Sequence, residues 1–280
     1  MRKLALVLGS LSLAASISAK EVVAQPVIIE EPVVVEEVAP VVVPSQHKPY
    51  GFDKLAIGAG VGATTKLYKQ DDKNVVFYPN LDVKYGRLYA KGIQLGVYLY
   101  ESDMMAFSVF VDPMGGYNMD NSDMRSGYKN IDDRDSMVMG GGKVEFKQLP
   151  GDVKVTVSYK GGEEGQQGDL VVMRRFPVTS KFSITPSVNA SMFSSDYTDY
   201  YFGVSKKEVN RSSTDKLDRT YNGDTAYAYG AKLACEYMFT ENVSLIASAG
   251  VTQFSSEIED SPIVDDGTIF YGALEAKYTF

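Results

Sequence analysis

The sequence predicts an all-β fold, a transmembrane antiparallel up-and-down β-barrel of about 12 strands in the cell outer membrane. The chain begins with a short apolar segment typical of secretory signals, and residues 51–280 alternate apolar and polar side chains at strand period. Short connections also alternate with longer ones. A water-soluble sandwich would show the same alternation of side chains, but the polar faces here carry full charges, as expected of a wet lumen.

Residues 1–19 are predicted to be a signal peptide. Arg2 and Lys3 provide a positive start, an apolar stretch begins at Leu4, and the small residue Ala19 precedes the expected cleavage site. The apolar part is too short for a spanning helix, and no later segment offers about 18 uninterrupted apolar residues. We therefore expect an exported protein without a membrane-spanning helix.

A Val/Pro/Glu-rich segment follows at residues 20–50. Because Pro blocks helix continuation and central sheet pairing, the segment is expected to be an extended periplasmic linker. A docking strand for a periplasmic partner is the alternative. The short Val and Ile runs are interrupted by Pro26, Pro32, Pro40 and Pro44.

Alternation at strand period recurs through the rest of the chain. Residues 153–160, 182–193 and 227–239 place apolar side chains at every second position, opposite side chains that are mostly polar or small. Cys235 falls on an apolar face, so it is predicted to be a small lipid-facing residue and not a nucleophile. Tyr and Phe gather near segment ends, as in the aromatic girdles of membrane barrels.

The last segment, residues 268–280, is predicted to close the barrel. One of its faces is apolar and ends on a C-terminal aromatic residue, while the other carries charged side chains. The terminal aromatic residue is expected at the periplasmic rim, as a signal for barrel insertion machinery. The outward residues of this strand are Leu274, Ala276, Tyr278 and Phe280.

Charged side chains on the polar faces are candidates for the lumen. About 12 strands leave a lumen of limited width, because barrel diameter grows with strand number. The inward set carries both signs, so ion pairs could fill the interior, whereas a selective porin would more naturally show a one-sided charged constriction. Sequence does not give the depth of each residue, so plug and pore both stay open. The lumen candidates are Lys143, Glu145, Lys232, Glu236, Glu275 and Lys277.

The lengths of the connections give an orientation. Outer-membrane barrels keep short turns periplasmic and long loops outside, so both ends of the barrel segment are expected on the periplasmic side. A count of about 12 requires residues 87–92 and 93–100 to form two short strands, and about 10 or about 14 strands are alternatives. Longer connections are predicted at residues 113–136, 161–167, 197–224 and 256–267.

The sequence lacks the residues that common catalytic and metal sites need. Its single His, His47, lies in the linker, and its single Cys lies on a predicted strand. A His-dependent triad in the barrel and a Cys/His zinc site are therefore excluded. We expect no enzyme activity, no catalytic residue and no cofactor. The formal net charge of −8 argues against nucleic acid as a partner.

The predicted loop at residues 256–267 is acidic and contains no basic residue. Adjacent acidic side chains in a loop usually form a solvated surface. The alternative is a divalent-cation site beside lipopolysaccharide, because hard cations take oxygen ligands. The acidic residues are Glu257, Glu259, Asp260, Asp265 and Asp266.

Three short motifs give the segment 51–280 a resemblance to a known family. The motifs are Tyr85-Gly86-Arg87-Leu88-Tyr89 with Gly92 and Gly96 following, Tyr201-Phe202-Gly203-Val204-Ser205, and Ser261-Pro262-Ile263-Val264. With its motifs in this order and spacing, the segment resembles the MipA/OmpV family, the MltA-interacting protein group of outer-membrane proteins. The Val/Pro/Glu-rich linker is not part of the family pattern.

The resemblance implies a barrel and a function. For the name-giving member it implies a scaffold that joins a lytic transglycosylase to a penicillin-binding protein during murein growth, and other members are regarded as porin-like. The hypotheses for this chain are accordingly a non-enzymatic scaffold or, as the alternative, a small porin-like channel for ions or small solutes. Outer-membrane lipid and lipopolysaccharide are the expected surroundings. The resemblance transfers no partner-binding residue.

Overall fold

The computed structural model of the chain describes residues 51–71, 74–211 and 216–280. The predicted signal peptide and linker, with His47, lie outside these ranges. Among the described residues, no helix has the length and apolar character that crossing a membrane requires.

The described part of the chain consists mainly of β-strands. The strands are β1 Lys54–Thr64, β2 Asn74–Tyr85, β3 Leu88–Lys91, β4 Gln94–Glu101, β5 Met105–Gly115, β6 Met137–Leu149, β7 Val153–Gly162, β8 Gly165–Arg174, β9 Phe176–Pro177, β10 Phe182–Phe193, β11 Ala226–Met238, β12 Val243–Phe254 and β13 Thr268–Thr279.

These strands form one closed antiparallel sheet. Consecutive strands pair along the chain, and β13 returns to pair with β1. The short β9 pairs with β10 beside β8, so β8 and β9 together occupy one position in the wall. The wall therefore has 12 positions, and the prediction of an up-and-down barrel of about 12 strands is confirmed.

Side chains alternate across the wall as the sequence pattern predicts. On β7, Val157 and Tyr159 are 46% and 52% exposed on the outer face, whereas Lys160 is 2% exposed on the lumen face. Outward aromatic residues gather at the rim formed by the short turns, where the rings of Tyr237 and Phe239 lie 5.0 Å apart. An apolar exterior around a polar interior is the arrangement that a barrel in lipid requires.

The wall is lowest at the hairpin of β3 and β4. The predicted strands at residues 87–92 and 93–100 are observed as β3 and β4. β3 has 4 residues and pairs with β2 along residues 82–85 alone. Within the described ranges, the part of β2 from residue 75 to residue 80 therefore has a strand partner on its β1 side only.

One predicted loop is replaced by strand. The sequence predicts a longer connection at residues 161–167, but β7 continues to Gly162 and β8 begins at Gly165, with those two residues paired. The prediction is wrong because Gln167 and Asp169 are buried on the lumen face of β8. In a barrel with a polar interior, polar side chains do not by themselves indicate a loop.

At the opposite end from the short turns, the long connections fold into a cap over the barrel. The cap comprises the described parts of residues 65–71, 116–136, 194–225 and 255–267, and all four segments contribute to one buried apolar cluster. Within that cluster, Tyr201, Phe202, Ile258 and Ile263 are each 0% exposed. The cap contains the helices α1 Ser195–Phe202, α2 Lys206–Arg211 and α3 Ser256–Glu259, and a 3-10 turn at Asn121–Asp123.

Replacing Gly165 with Ala is expected to destabilise the junction between cap and wall. Gly165 has φ +127°, and a Cβ atom there would lie 2.5 Å from the backbone nitrogen of Tyr197 in α1. Backbone strain and overlap with backbone atoms should together cost at least about 2 kcal/mol. The measurement is urea-induced loss of the fast-migrating folded form in unheated gel electrophoresis.

Gly86→Ala is the matched control. Gly86 also has a positive φ, +57°, but nothing lies within 4 Å of the position of its added Cβ. This variant should lose only the strain of the left-handed backbone, about 1 kcal/mol. An equal loss of stability in the two variants would contradict the proposed overlap at the junction.

Candidate functional site: the cap and the lumen

Two of the family motifs meet inside the cap. Residues 201–205 begin in the last turn of α1, and residues 261–264 come shortly after α3. The Ser261 hydroxyl donates a 2.6 Å hydrogen bond to the carbonyl oxygen of Phe202. Because apolar side chains of both motifs belong to the same buried cluster, the motifs lie in the core of the cap and hold two distant segments together.

Tyr68 connects the first loop to the other cap segments. Its hydroxyl lies 3.1 Å from the carbonyl oxygen of Tyr117 and 3.2 Å from that of Tyr201, to which it donates. Its ring stacks on that of Phe202 at 5.7 Å between centroids. Burial raises the pKa of Tyr68 well above its ordinary value, so the phenol stays a neutral hydrogen-bond donor.

Arg134 and Glu208 form a buried ion pair, the latch, between two cap segments. Their side chains are 9% and 2% exposed, and Arg134 Nη2 lies 2.8 Å from Glu208 Oε1. The same carboxylate accepts from the backbone N–H groups of Asp132 at 2.9 Å and Ser205 at 2.7 Å. Burial alone would raise the Glu208 pKa, but these donors, the Ser205 side chain and Arg134 lower it to about 2.

The latch includes a signal that was readable in the sequence. Ser205 and Glu208 have the S-x-x-E spacing of a capping box, and the Glu208 backbone N–H donates to the Ser205 hydroxyl oxygen at 3.3 Å. This spacing predicts the start of a helix, which is observed as α2. Arg134 had no such signal, because it lies 74 positions before Glu208 in the chain.

Bases from other segments contact the acidic loop. The sequence gives residues 256–267 no base of their own, but Arg125 reaches across from another loop and donates two parallel 2.7 Å hydrogen bonds to Asp265. Arg219 donates to the backbone carbonyl of Asp260 at 3.0 Å. No cluster of three or more potential metal-ligating side chains occurs in the described parts of the chain. The loop therefore serves to join cap segments.

The lumen contains ion pairs between strands. Glu236 accepts from Lys277 at 2.6 Å and from Arg175 at 3.0 Å. Glu145 Oε1 on β6 lies 3.8 Å from Lys91 Nζ on β3. Three of the six lumen candidates, Glu236, Lys277 and Glu145, are thus placed in charge pairs, and the strand-break residue Arg175 is a partner that sequence reasoning missed.

The other three lumen candidates have different surroundings. Lys143 lies over the rings of Tyr89 and Phe110, at 4.9 and 5.7 Å from their centroids. Glu275 accepts a 2.5 Å hydrogen bond from the Asn80 amide. The Lys232 ammonium has no hydrogen bond or salt bridge to any described residue, and it lines the same cavity as Glu275.

Sequence reasoning missed the most buried ion pair of the lumen. Lys160 and Asp112 lie 2.7 Å apart with side-chain exposures of 2% and 9%. Nearby, Asp169 accepts from Ser191 at 2.7 Å and from Gln167 at 2.8 Å. The inward position of Asp112 on β5 follows from strand alternation, which was the available signal.

The predicted closing strand occupies the expected place. The outward residues Leu274, Tyr278 and Phe280 are exposed on the outer face of β13, and Phe280 N donates to Leu55 O at 3.0 Å. The rings of Tyr278 and Phe280 lie 4.8 Å apart at the short-turn rim. Cys235 is half-buried at an outward register position of β11.

A cavity of about 680 Å³ lies beneath the cap. Its lining combines cap residues such as Tyr68 and Tyr117 with lumen residues such as Lys232 and Glu275. A cleft of about 560 Å³ opens at the short-turn mouth, where Glu101 accepts from Lys84 at 2.6 Å and from Lys147 at 2.7 Å. The barrel therefore contains one space beneath the folded cap and another at the short-turn mouth.

Known proteins resemble this chain over most of its length. The 24 kDa outer membrane protein of Pasteurella multocida (strain Pm70) is 30% identical over 234 residues, 80% of this chain and 90% of that protein. The MltA-interacting protein of Escherichia coli (strain K12) is 27% identical over 216 residues, 76% of this chain and 84% of that protein. The translocator domain of the autotransporter NalP from Neisseria meningitidis aligns with a TM-score of 0.46 at 9% identity, over 81% of this chain and 88% of that structure.

The family described as MltA-interacting protein MipA matches residues 57–280. This span includes the barrel wall from β1 onward and all four segments of the cap. Together with relatives that are named outer membrane proteins, the match confirms the family resemblance and the outer-membrane location. The chain belongs to the MipA family of outer-membrane β-barrel proteins.

Proposed function

We propose that this chain is a non-enzymatic scaffold that holds a lytic transglycosylase and a penicillin-binding protein at the outer membrane. The observation that carries the proposal is the cap, whose buried core and internal hydrogen bonds fill the long-loop mouth of the barrel. A mouth filled in this way is poorly suited to the passage of solutes. The name of the Escherichia coli relative, MltA-interacting protein, supports the choice of a lytic transglycosylase as a partner.

The absence of catalysis fits the chemistry of the described residues. Charged groups such as Lys160 with Asp112 and Arg134 with Glu208 are engaged in buried ion pairs that hold segments together, and the single His of the chain, His47, precedes β1 in the sequence. The relatives reported above are named for their membrane or their partner and not for a reaction. A binding role is therefore favoured over an enzymatic one.

A small channel is the second candidate. The cavity beneath the cap and the cleft at the short-turn mouth are both lined in part by charged side chains, as an ion pathway would be. Opening of the cap would join this interior to the outside. A channel of this kind should conduct ions only when the cap is displaced. Conductance of the native protein, compared with that of a variant that lacks the latch, therefore separates the two functions.

Arg134→Ala is expected to open the cap. Removing Arg134 leaves the Glu208 carboxylate buried without its cation, which should cost roughly 3 kcal/mol or more. Under the scaffold proposal, the native protein is silent in planar-bilayer conductance and the variant shows intermittent openings. Stable conductance by the native protein would contradict the scaffold proposal and support the channel.

Arg211→Ala is the matched control for the latch. Arg211 also pairs with a carboxylate of the cap, Asp132 at 2.8 Å, but the two side chains are 40% and 48% exposed. Exposed pairs contribute about 0–1 kcal/mol, so this variant should stay as silent as the native protein. Openings in both variants would show that the latch is not what holds the cap closed.

The cap should loosen in acid because of Glu208. The pKa of this carboxyl is lowered to about 2 in the folded cap, from about 4.3 in an unfolded chain. Its stabilisation is therefore fully present above about pH 4.3 and is lost as the pH falls toward 2. Near-ultraviolet circular dichroism of the cap tyrosines should show the transition between about pH 5 and about pH 2, the range set by these two pKa values.

Glu208→Gln is the comparison for this titration. The variant should be less stable near neutral pH and should lose the part of the acid response that Glu208 produces. Other cap carboxylates, such as Asp265, keep their own response in both proteins. Identical pH profiles for the native protein and the variant would contradict the assignment to Glu208.

The partners should bind independently of the cap. Under the scaffold proposal, the murein enzymes contact the periplasmic side, which is the side of the short turns by the orientation rule of outer-membrane barrels. Affinity purification of the native protein and of Arg134→Ala from crosslinked membranes should recover a lytic transglycosylase and a penicillin-binding protein in equal yield. Failure of the native protein to recover either enzyme would contradict the proposal, and loss after deletion of residues 20–50 would assign docking to the linker.

A further inference from the structure

The short β3–β4 hairpin leaves an opening in the barrel wall, which we call the window. One side is the edge of β2 at residues 75–80, which has no partner strand on this side among the described residues, and the lower border is the β3–β4 turn at residues 91–94. The other side is the end of β5, where Asp112 lies beyond the last residue paired with β4. The upper border is the bridge between Gln70 and Met124 in the cap.

The window lies at membrane depth. The 4 residues of β3 span about 13 Å at about 3.3 Å per residue, whereas the apolar band of a membrane barrel is about 25 Å tall. The exposed outer side chains beside the window are apolar, with Val75 50% and Phe77 69% exposed. Pro79 has no N–H group, which suits an edge without a partner strand. The opening therefore faces the acyl chains of the half of the bilayer nearer the cap.

The window leads into the cavity beneath the cap. The same cavity of about 680 Å³ is lined by the window residues Val75, Pro79 and Ile93 and by residues of the opposite wall. Its volume falls within the range of about 300 to 1,000 Å³ that is usual for small-molecule sites. A molecule could therefore reach the cavity from the bilayer without passing through the cap.

The wall opposite the window carries polar groups without full partners. Lys232 has no ion-pair or hydrogen-bond partner for its ammonium among the described residues. Thr252 is 6% exposed, and its hydroxyl oxygen has no hydrogen-bond partner in the part of the chain that the structure describes. Glu275, on β13 near the β2 side of the window, contributes a negative charge to the same cavity and accepts a hydrogen bond from Asn80. A buried hydroxyl left without a partner is costly unless a ligand or water satisfies it.

We propose that the cavity binds a zwitterionic single-chain amphiphile of the lysophospholipid type, which enters from the bilayer through the window. Lys232 and Thr252 donate hydrogen bonds to its phosphate, and Glu275 faces its amine. The acyl chain lies through the window along Val75 and Ile93. A purely anionic head would meet the like charge of Glu275, and a purely cationic head would meet Lys232, so a head with both charges matches the lining of this cavity best.

Tryptophan fluorescence provides the test, because the chain contains no Trp. Ile93→Trp places a single reporter at the lower border of the window, and Val157→Trp places one on the lipid-facing surface of β7. The full-length mature protein in nanodiscs is titrated with lysophosphatidylethanolamine that carries a spin label on its acyl chain. Saturable quenching is expected for Ile93→Trp, and quenching in simple proportion to the label concentration is expected for Val157→Trp.

Charge variants in the Ile93→Trp background test the head-group assignment. Lys232→Gln should weaken binding about tenfold, because a hydrogen bond to a charged group is lost. Lys154→Gln is the matched control: Lys154 is also a lumen-side lysine, but it lines the cleft at the short-turn mouth, so binding should not change. Thr252→Val, a smaller change, should weaken binding less than Lys232→Gln does. The heat-dependent gel shift verifies that each variant is folded.

Two results would overturn the proposal. Proportional quenching of Ile93→Trp, equal to that of Val157→Trp, would show that the window contacts bulk lipid and nothing else. Displacement of the labelled probe by dodecyl sulfate as readily as by unlabelled lysophosphatidylethanolamine would contradict the zwitterionic head group. Neither result bears on the recovery of murein enzymes, so the two proposals fail separately.

Discussion

Closure of the sheet is the constraint on which the rest of the structure depends. Backbone N–H and C=O groups inside a bilayer find no water, so a membrane-spanning sheet must pair its first strand with its last. Here β1 pairs with β13 from Ala56↔Thr279 to Thr64↔Tyr271. Small residues permit this close approach, because a Cβ on Gly58 would lie 2.8 Å from the carbonyl oxygen of Ala276.

A closed wall of this kind also dictates what fills it. Because alternate side chains point inward, charged residues that water would otherwise solvate are confined in the lumen, where a partner of opposite charge lowers the cost of burial. The buried pair Lys160–Asp112 is the clearest case. Removing one member of such a pair leaves a buried charge uncompensated, so the lumen holds together as a network across strands and not as a set of separate contacts.

The wall was largely predictable from sequence and the cap was not. Residues 182–193 alternate so regularly that the predicted strand coincides with β10. The sequence marked residues 201–205 and 261–264 as motifs, but it did not give the contact of Ser261 with Phe202. Periodicity reports which face a side chain occupies within one strand, whereas the cap is built from contacts between irregular segments far apart in the chain. At residues 161–167 the prediction failed for a different reason: polar side chains that face the lumen made a strand look like a loop.

The cap and the window are parts of one arrangement, because the cap segment at residues 116–136 contributes to both. Arg134 of this segment forms the latch with Glu208, and Met124 of the same segment forms the upper border of the window with Gln70. The backbone N–H of Arg125 also donates to Lys69 O at 2.8 Å, which ties the border to the first loop. The segment is thus held at two points, by the latch at Arg134 and by the bridge at Met124. Under the two proposals, access to the cavity through the cap and access through the window both depend on contacts of this one segment.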